Sequence, residues 1–111
     1  MCFFRKKKTA DKVKDDRELV EANSKAVDAL VILAEGNGEI IEELKELQIK
    51  LKYLIPSVNP KVVDCDKSIK NKIGDLRIAL TKSDGETSKK AKNILTDIKL
   101  AIADRNTNFN R

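Results

Sequence analysis

Histidine and tryptophan are absent from this chain of 111 residues, which has only two cysteines, one tyrosine and two prolines. Without histidine there is no imidazole general base, no Ser-His-Asp triad and no histidine metal ligand. Two cysteines alone cannot complete a structural zinc site or a disulfide-rich scaffold. The sequence also lacks a phosphate-binding loop, a dinucleotide-binding glycine motif and a nucleophile elbow. We therefore expect a protein that is not an enzyme and that needs no cofactor or metal.

Long apolar runs are missing too. The longest covers six residues, from Ala29 to Ala34, whereas a membrane-spanning helix needs about 20. The chain begins with residues 1–4, Met-Cys-Phe-Phe, and then turns basic, which reverses the order of charge and apolar stretch in a secretory signal. We expect a cytoplasmic protein, with a peripheral position at the inner membrane surface as the alternative.

Positive charge is concentrated at the start of the chain. Residues 1–8 contribute +4 to a net charge of +5. The rest is nearly neutral, with excess acid over residues 9–55 and excess base over residues 56–111. A protein that binds a nucleic-acid backbone usually carries a basic face on its folded body. The charge pattern instead favours a body whose two halves attract each other, preceded by a basic arm over residues 1–8.

The first helical pattern extends from Thr9 to Ala34, because apolar residues recur there at intervals of three and four. Acidic residues crowd its front, where the positive end of a helix dipole favours them. Gly36 and Gly38 then break the helix, since glycine readily adopts left-handed turn geometry. The residues predicted to face inward are Val20, Val27, Leu30, Val31 and Ala34.

The second pattern is the strictest. Five aliphatic residues step by 4, 3, 4 and 3 positions: Ile40, Leu44, Leu47, Leu51 and Leu54. This seam has the spacing of a coiled coil, so we expect it to pack within the fold or to associate with a second chain. Pro56 ends the helix, because the residue before a proline is pushed out of helical geometry.

A third helix is predicted to open at Asn59 and Pro60, since asparagine is a strong N-cap and proline is well tolerated at the first helical position. Gly74 lies inside this helix, and we interpret it as a point where another helix approaches closely. The inward stripe is predicted to be Val62, Cys65, Ile69, Ile73, Leu76 and Leu80.

The fourth helix begins between Ser83 and Ser88. Either residues 83–86 form a capping box, or Gly85 closes the third helix and Thr87 or Ser88 caps the fourth. Its predicted inward stripe is Ala91, Leu95 (or Ile94), Ile98, Ala101 and Ile102.

Short connections between amphipathic helices favour antiparallel neighbours. The sequence therefore predicts an all-α protein, a small up-down-up-down four-helix bundle over residues 9–105, followed by a frayed tail over residues 106–111. The alternative is a three-helix bundle in which the third and fourth helices are nearly continuous.

Two acidic segments resemble sites but have simpler interpretations. The carboxylates of Asp64 and Asp66 point about 200° apart on a helix and do not converge, and Cys65 between them is expected to be a buried, unreactive cysteine. Four glutamates flank the seam of the second helix and are interpreted as a solvated face: Glu39, Glu42, Glu43 and Glu46.

The arm is the main candidate for contact with a partner. It combines two phenylalanines with four cations, which suits an anionic membrane surface: Phe3, Phe4, Arg5, Lys6, Lys7 and Lys8. A disordered terminus or an apolar clasp against the bundle is the competing interpretation.

The back half also carries many lysines: Lys61, Lys67, Lys70, Lys72, Lys89, Lys90 and Lys92. Acids interleave with them, and no aromatic residue is present to stack on a base. We therefore expect an interaction module that binds a protein partner or itself, including as a homo-oligomer, with no small-molecule substrate. A nucleic-acid accessory protein that uses these lysines is the alternative.

Overall fold

The computed structural model describes residues 15–36, 38–81 and 87–109. They form four helices, here numbered α1 to α4: Arg17–Leu33, Gly38–Lys52, Pro60–Thr81 and Thr87–Phe109. Within these ranges there is no strand, and the helices pack against one another. The predicted all-α four-helix bundle is confirmed. The start predicted for the first helix, residues 9–14, and the predicted capping box, residues 83–86, lie outside the described residues.

Contacts between helices define their directions. Asp16, which precedes α1, is hydrogen bonded to Ser57, which precedes α3, so α1 and α3 begin at the same end. Arg105, late in α4, contacts Asp66, early in α3, so these two helices are antiparallel. Two ion pairs in the same order along both helices show that α2 and α4 are parallel: Glu39–Lys92 and Glu43–Lys99. The helices therefore run up, down, up and down, and the three-helix alternative is wrong.

The order of helices around the bundle differs from the order along the chain. Helix α1 packs on α2 and α3, and α4 packs on α2 and α3, whereas in the described chain α1 and α4, and likewise α2 and α3, are not adjacent helices. Helices α2 and α3 thus occupy opposite corners of a square, about 12–14 Å apart if neighbouring axes are 8–10 Å apart. The connection between them, residues 53–59, is long enough to cross the end of the bundle at about 3.3 Å per residue. We call it the crossover.

The core is aliphatic and follows the predicted stripes closely. Four of the five seam residues lie in α2 and are almost fully buried, and the fifth, Leu54, follows α2 in the chain and is half-buried. In α4, Leu95 is buried, and Ile94 only borders the core. The main cluster of buried residues in the described chain is Val27, Leu30, Ala34, Ile40, Leu44, Leu47, Leu51, Ile69, Ile73, Leu76, Ala91, Leu95, Ile98, Ala101 and Ile102.

One end each of two helices has a clear local cause. The Oδ1 atom of Asn59 accepts a hydrogen bond from the backbone N–H of Lys61 at 2.9 Å, and Pro60 is the first residue of α3. The predicted cap is therefore confirmed. After α1, Gly36 has a φ of 95°, a conformation that glycine adopts without steric strain.

Helix α4 includes residues 106–109, which the sequence analysis placed in a frayed tail. The carbonyl of Asn108 accepts a hydrogen bond from the side chain of Asn59 at 3.3 Å. The guanidinium of Arg105 lies 5.7 Å from the ring centre of Phe109. These contacts hold the last turn without an apolar stripe, which is why periodicity gave no sign of it.

Gly74 is exposed, and a Cβ atom built on it would meet no atom within 4 Å. The interpretation that it marks a close approach between helices is therefore wrong. Its missing side chain leaves space on the surface of α3.

The position of Leu51 in the core leads to a stability prediction. Leu51→Ala should lower the free energy of unfolding by about 2–5 kcal/mol, because it removes a buried side chain and leaves a cavity. Ile49→Ala in the same helix is the control: Ile49 is exposed, so the change should stay within about 0.5 kcal/mol. Urea denaturation measures both. Equal losses would contradict the orientation of α2.

Candidate functional site

A buried ion pair joins α3 to α4 near the crossover. The Nε atom of Arg105 lies 2.7 Å from Oδ1 of Asp66, and the two side chains are 2% and 0% exposed. A second guanidinium nitrogen, Nη2, donates a hydrogen bond to the backbone carbonyl of Ile55 at 2.7 Å. A guanidinium group can do both because its donors form a rigid, planar fork. Arg105 thereby connects two helices and the crossover.

Asp16 holds the crossover from the other side. Its backbone N–H donates to the carbonyl of Ser57 at 3.1 Å, and the N–H of Ser57 donates to Oδ1 of Asp16 at 2.8 Å. The side chain of Asn23 in α1 donates to the backbone carbonyl of Asp66 at 3.1 Å. We call Asp16, Asn23, Ser57, Asp66 and Arg105 the buried polar network.

The carboxyl groups of Asp16 and Asp66 form a buried pair that lacks hydrogen-bond donors. The Oδ2 atom of each is buried and has no donor among the groups described. Burial, together with a side-chain hydrogen bond to Asp16, raises the pKa of Asp66 to about 7, and the nearby charge of Arg105 only partly offsets this. A proton on Asp66 supplies the donor that a bond between two carboxyl groups requires.

The crossover displays large apolar side chains although the network fixes its backbone. Tyr53, Ile55 and Val58 are 73%, 63% and 55% exposed. Tyr53 and Ile55 line a shallow hollow together with Phe109, at the end of α4. We call Tyr53, Ile55, Val58 and Phe109 the crossover patch.

A separate groove runs between α1 and α3, with a volume of about 450 Å³. Its α1 wall is apolar, and its α3 wall carries two cations. We call it the α1–α3 groove, and its principal lining residues are Ala26, Ala29, Leu33, Lys70, Gly74 and Arg77.

The structure describes two of the three predicted sets of site residues, the seam and the back-half lysines. The arm, residues 1–8, lies outside the described residues. The seam lies inside the bundle, where a second chain reaches it only if the fold opens. Lys70 lines the α1–α3 groove, while Lys92 pairs with Glu39 between α2 and α4, on the opposite side of the bundle, so the back-half lysines do not form a single strip.

The prediction that Cys65 is buried was wrong, because the buried residue is the next one along the chain. Cys65 is only half-buried, with its Sγ atom 3.9 Å from the Nδ2 atom of Asn108, and the neighbouring Asp66 is fully buried instead. The sequence does contain a signal for the network. Its four helix-associated members continue the three- and four-residue spacing of the core stripes: Asp16, Asn23, Asp66 and Arg105. The missed signal is a charged residue at a position where the apolar periodicity predicts a core residue.

Comparison with protein-family models, curated proteins and solved structures finds no significant match to this chain. Over the described residues, no helix is both long and apolar enough to cross a membrane. The same residues contain no group of three or more side chains suited to holding a metal ion.

The raised pKa of Asp66 predicts how stability depends on pH. The folded state holds the proton of Asp66 more tightly than the unfolded state, so stability is highest in acid and falls as pH rises through about 7. Urea denaturation should show stability increasing from about pH 8 to about pH 5.5 by about 2 kcal/mol, since each pH unit below about 7 contributes about 1.4 kcal/mol.

The control is Asp66→Asn, which resembles the protonated acid and cannot ionise. Because the chain has no histidine, its stability should be nearly flat over that pH range. A wild-type protein that loses stability on acidification would contradict a protonated Asp66.

Arg105 supplies the second prediction from this site. Arg105→Met should lower the free energy of unfolding by about 3–5 kcal/mol at about pH 8, because it leaves a buried charge without a partner. The double variant Asp66→Leu/Arg105→Met should recover part of the loss, since the Asp66 carboxylate is then removed together with its partner. Arg77→Met, at an exposed position, is the control. Equal losses in the single and double variants would show that the ion pair is not the cause.

Proposed function

We propose that this protein is a non-enzymatic interaction module that binds an amphipathic helix with acidic residues along one edge. The observation that carries the proposal is the α1–α3 groove, with its apolar wall and its cationic wall. The function therefore belongs to the surface between two parallel helices and not to the seam of α2.

The shape of the groove suits a helix. Ala26, Ala29 and Gly74 are small, so their positions leave room for inserted side chains. A bound helix places apolar residues at intervals of three, four and seven into such a groove. Leu33 is partly exposed at its edge and offers apolar contact area.

The charges define the chemistry of the partner. Lys70 and Arg77 are seven residues apart on α3, which is about 10 Å along the axis. Carboxylates seven residues apart on a parallel helix would face both cations. Complementary charge at the rim of an interface mainly speeds association and selects the partner.

Other functions find less support among the described residues. The paired carboxyl groups of Asp16 and Asp66 are the one close acid pair that we identify, and both are buried away from substrate. An acid–base pair needs access to the reacting group, which favours an interaction module over an enzyme. The separation of Lys70 from Lys92 likewise disfavours the nucleic-acid alternative.

A synthetic helical peptide tests the proposal. The probe is a fluorescein-labelled peptide with leucines at intervals of four and three and glutamates along one edge. Fluorescence anisotropy should show that it binds the intact protein, and that Lys70→Glu/Arg77→Glu weakens binding at least tenfold, equivalent to about 1.4 kcal/mol. The matched control is Lys61→Glu/Lys89→Glu, which changes net charge equally at exposed positions and should leave binding unchanged.

A peptide with lysines in place of the glutamates is the second control and should bind at least tenfold more weakly. Equal affinity for both peptides would contradict the cationic wall as the recognition element. Sedimentation equilibrium tests whether the partner is a second copy of this chain. If the protein forms a dimer and Lys70→Glu/Arg77→Glu dissociates it, the groove would be assigned to self-association instead.

A further inference from the structure

We propose that the crossover end of the bundle docks on an anionic lipid bilayer, with Tyr53, Ile55 and Val58 entering the headgroup region. This surface is distinct from the α1–α3 groove, and the inference does not depend on the function proposed for that groove.

The crossover patch has the chemistry of a membrane-contacting loop. Ile55 and Val58 are exposed aliphatic residues on a short irregular segment. Tyr53 and Phe109 are aromatic residues that both line the shallow hollow at this end of the bundle. Aromatic side chains favour the boundary between headgroups and acyl chains, and apolar neighbours add buried area there.

Cations stand next to these apolar groups. Lys50 and Lys52 occupy the last turn of α2, and the Nζ atom of Lys52 lies 5.9 Å from the ring centre of Tyr53. Lysine beside an interfacial aromatic residue can reach lipid phosphates while the ring stays buried. Among the acids near this end, Asp15 pairs with Arg17 and Asp66 with Arg105, whereas Asp64 and Asp104 are exposed.

The described chain begins at the same end, because Asp16 is hydrogen bonded to Ser57 in the crossover. Residues 1–14 precede it in the sequence. Their sequence contains six cations, one acid and the pair Phe3-Phe4. A basic segment near an anionic leaflet is attracted to it. Attraction of this basic segment to an anionic leaflet would add to the contact that the patch makes.

The buried polar network makes the patch a preformed surface. Arg105 holds the carbonyl of Ile55, and Asp16 holds both backbone polar groups of Ser57. A fixed backbone loses little conformational entropy when its side chains enter the headgroup region. The exposed apolar side chains are therefore held in place before any contact with lipid.

Co-sedimentation of the full chain with vesicles tests the proposal. The probes are phosphatidylcholine vesicles and vesicles in which part of the lipid is phosphatidylglycerol. We expect pelleting only with the second, and at least tenfold weaker binding for Ile55→Ser/Val58→Ser. The matched control is Ile32→Ser/Ile78→Ser, which removes two exposed isoleucines from the opposite end and should bind as the unchanged protein does. Circular dichroism verifies that all variants stay helical.

Tyr53 gives an independent readout, because the chain has no other tyrosine and no tryptophan. Brominated lipids should quench its fluorescence in anionic vesicles and leave it unchanged in neutral ones. Lack of quenching despite binding would overturn the orientation proposed here.

Three further results would overturn the proposal. The first is absence of pelleting with anionic vesicles at about 50 mM salt, where charge attraction is only partly screened. The second is binding that Arg5→Ser/Lys6→Ser/Lys7→Ser/Lys8→Ser abolishes but Ile55→Ser/Val58→Ser does not change, which would assign lipid contact to the arm alone. The third is a dimer that Ile55→Ser/Val58→Ser dissociates in a protein that does not bind vesicles, which would make the patch a contact between two copies.

Discussion

The contact between Arg105, Asp66 and the carbonyl of Ile55 is the constraint on which the end of the bundle depends. Because α2 and α3 occupy opposite corners, the crossover must pass over the core and bring backbone polar groups with it. Buried carbonyls need donors, and Arg105 supplies one from within the core. An aliphatic pair in place of Asp66 and Arg105 often gives equal or greater stability, but it would leave that carbonyl without its donor. The ion pair therefore specifies how the chain crosses, more than it adds to stability.

The same reasoning explains why the network contains a second acid. Asp16 uses Oδ1 to hold the crossover at Ser57, and its position brings a second carboxyl group to Asp66. Two ionised carboxylates beside one guanidinium leave an excess negative charge in a dry environment, which is costly. Burial and the neighbouring Asp16 raise the pKa of Asp66 to about 7, so protonation of Asp66 in weakly acidic solution removes this excess charge. Because Asp66 is buried among the groups that hold the crossover, its protonation is linked to the position of the crossover.

Much of the fold was predictable because its signals are local. The spacing of Ile40, Leu44, Leu47 and Leu51 and the cap at Asn59 are complete within one segment of sequence. The network was not predictable in the same way, since Asp66 becomes a core residue only through Arg105, which is 39 positions away. Periodicity also says which face of a helix is buried and not which helix covers it. The diagonal arrangement of α2 and α3, and the two surfaces that result from it, therefore required the structure.

The distribution of aromatic residues separates stability from function in this chain. Every buried apolar residue in the described core is aliphatic, although aromatic side chains bury the largest area and usually dominate cores. Tyr53 and Phe109 lie at the crossover end, and Phe3 and Phe4 precede the segment that starts there. In the described chain, Tyr53 and Phe109 lie outside the aliphatic core and at the crossover end, where they are available for the lipid contact proposed above. The buried polar network stabilises this arrangement in water, because it holds the backbone of the crossover in place while the aromatic rings stay exposed.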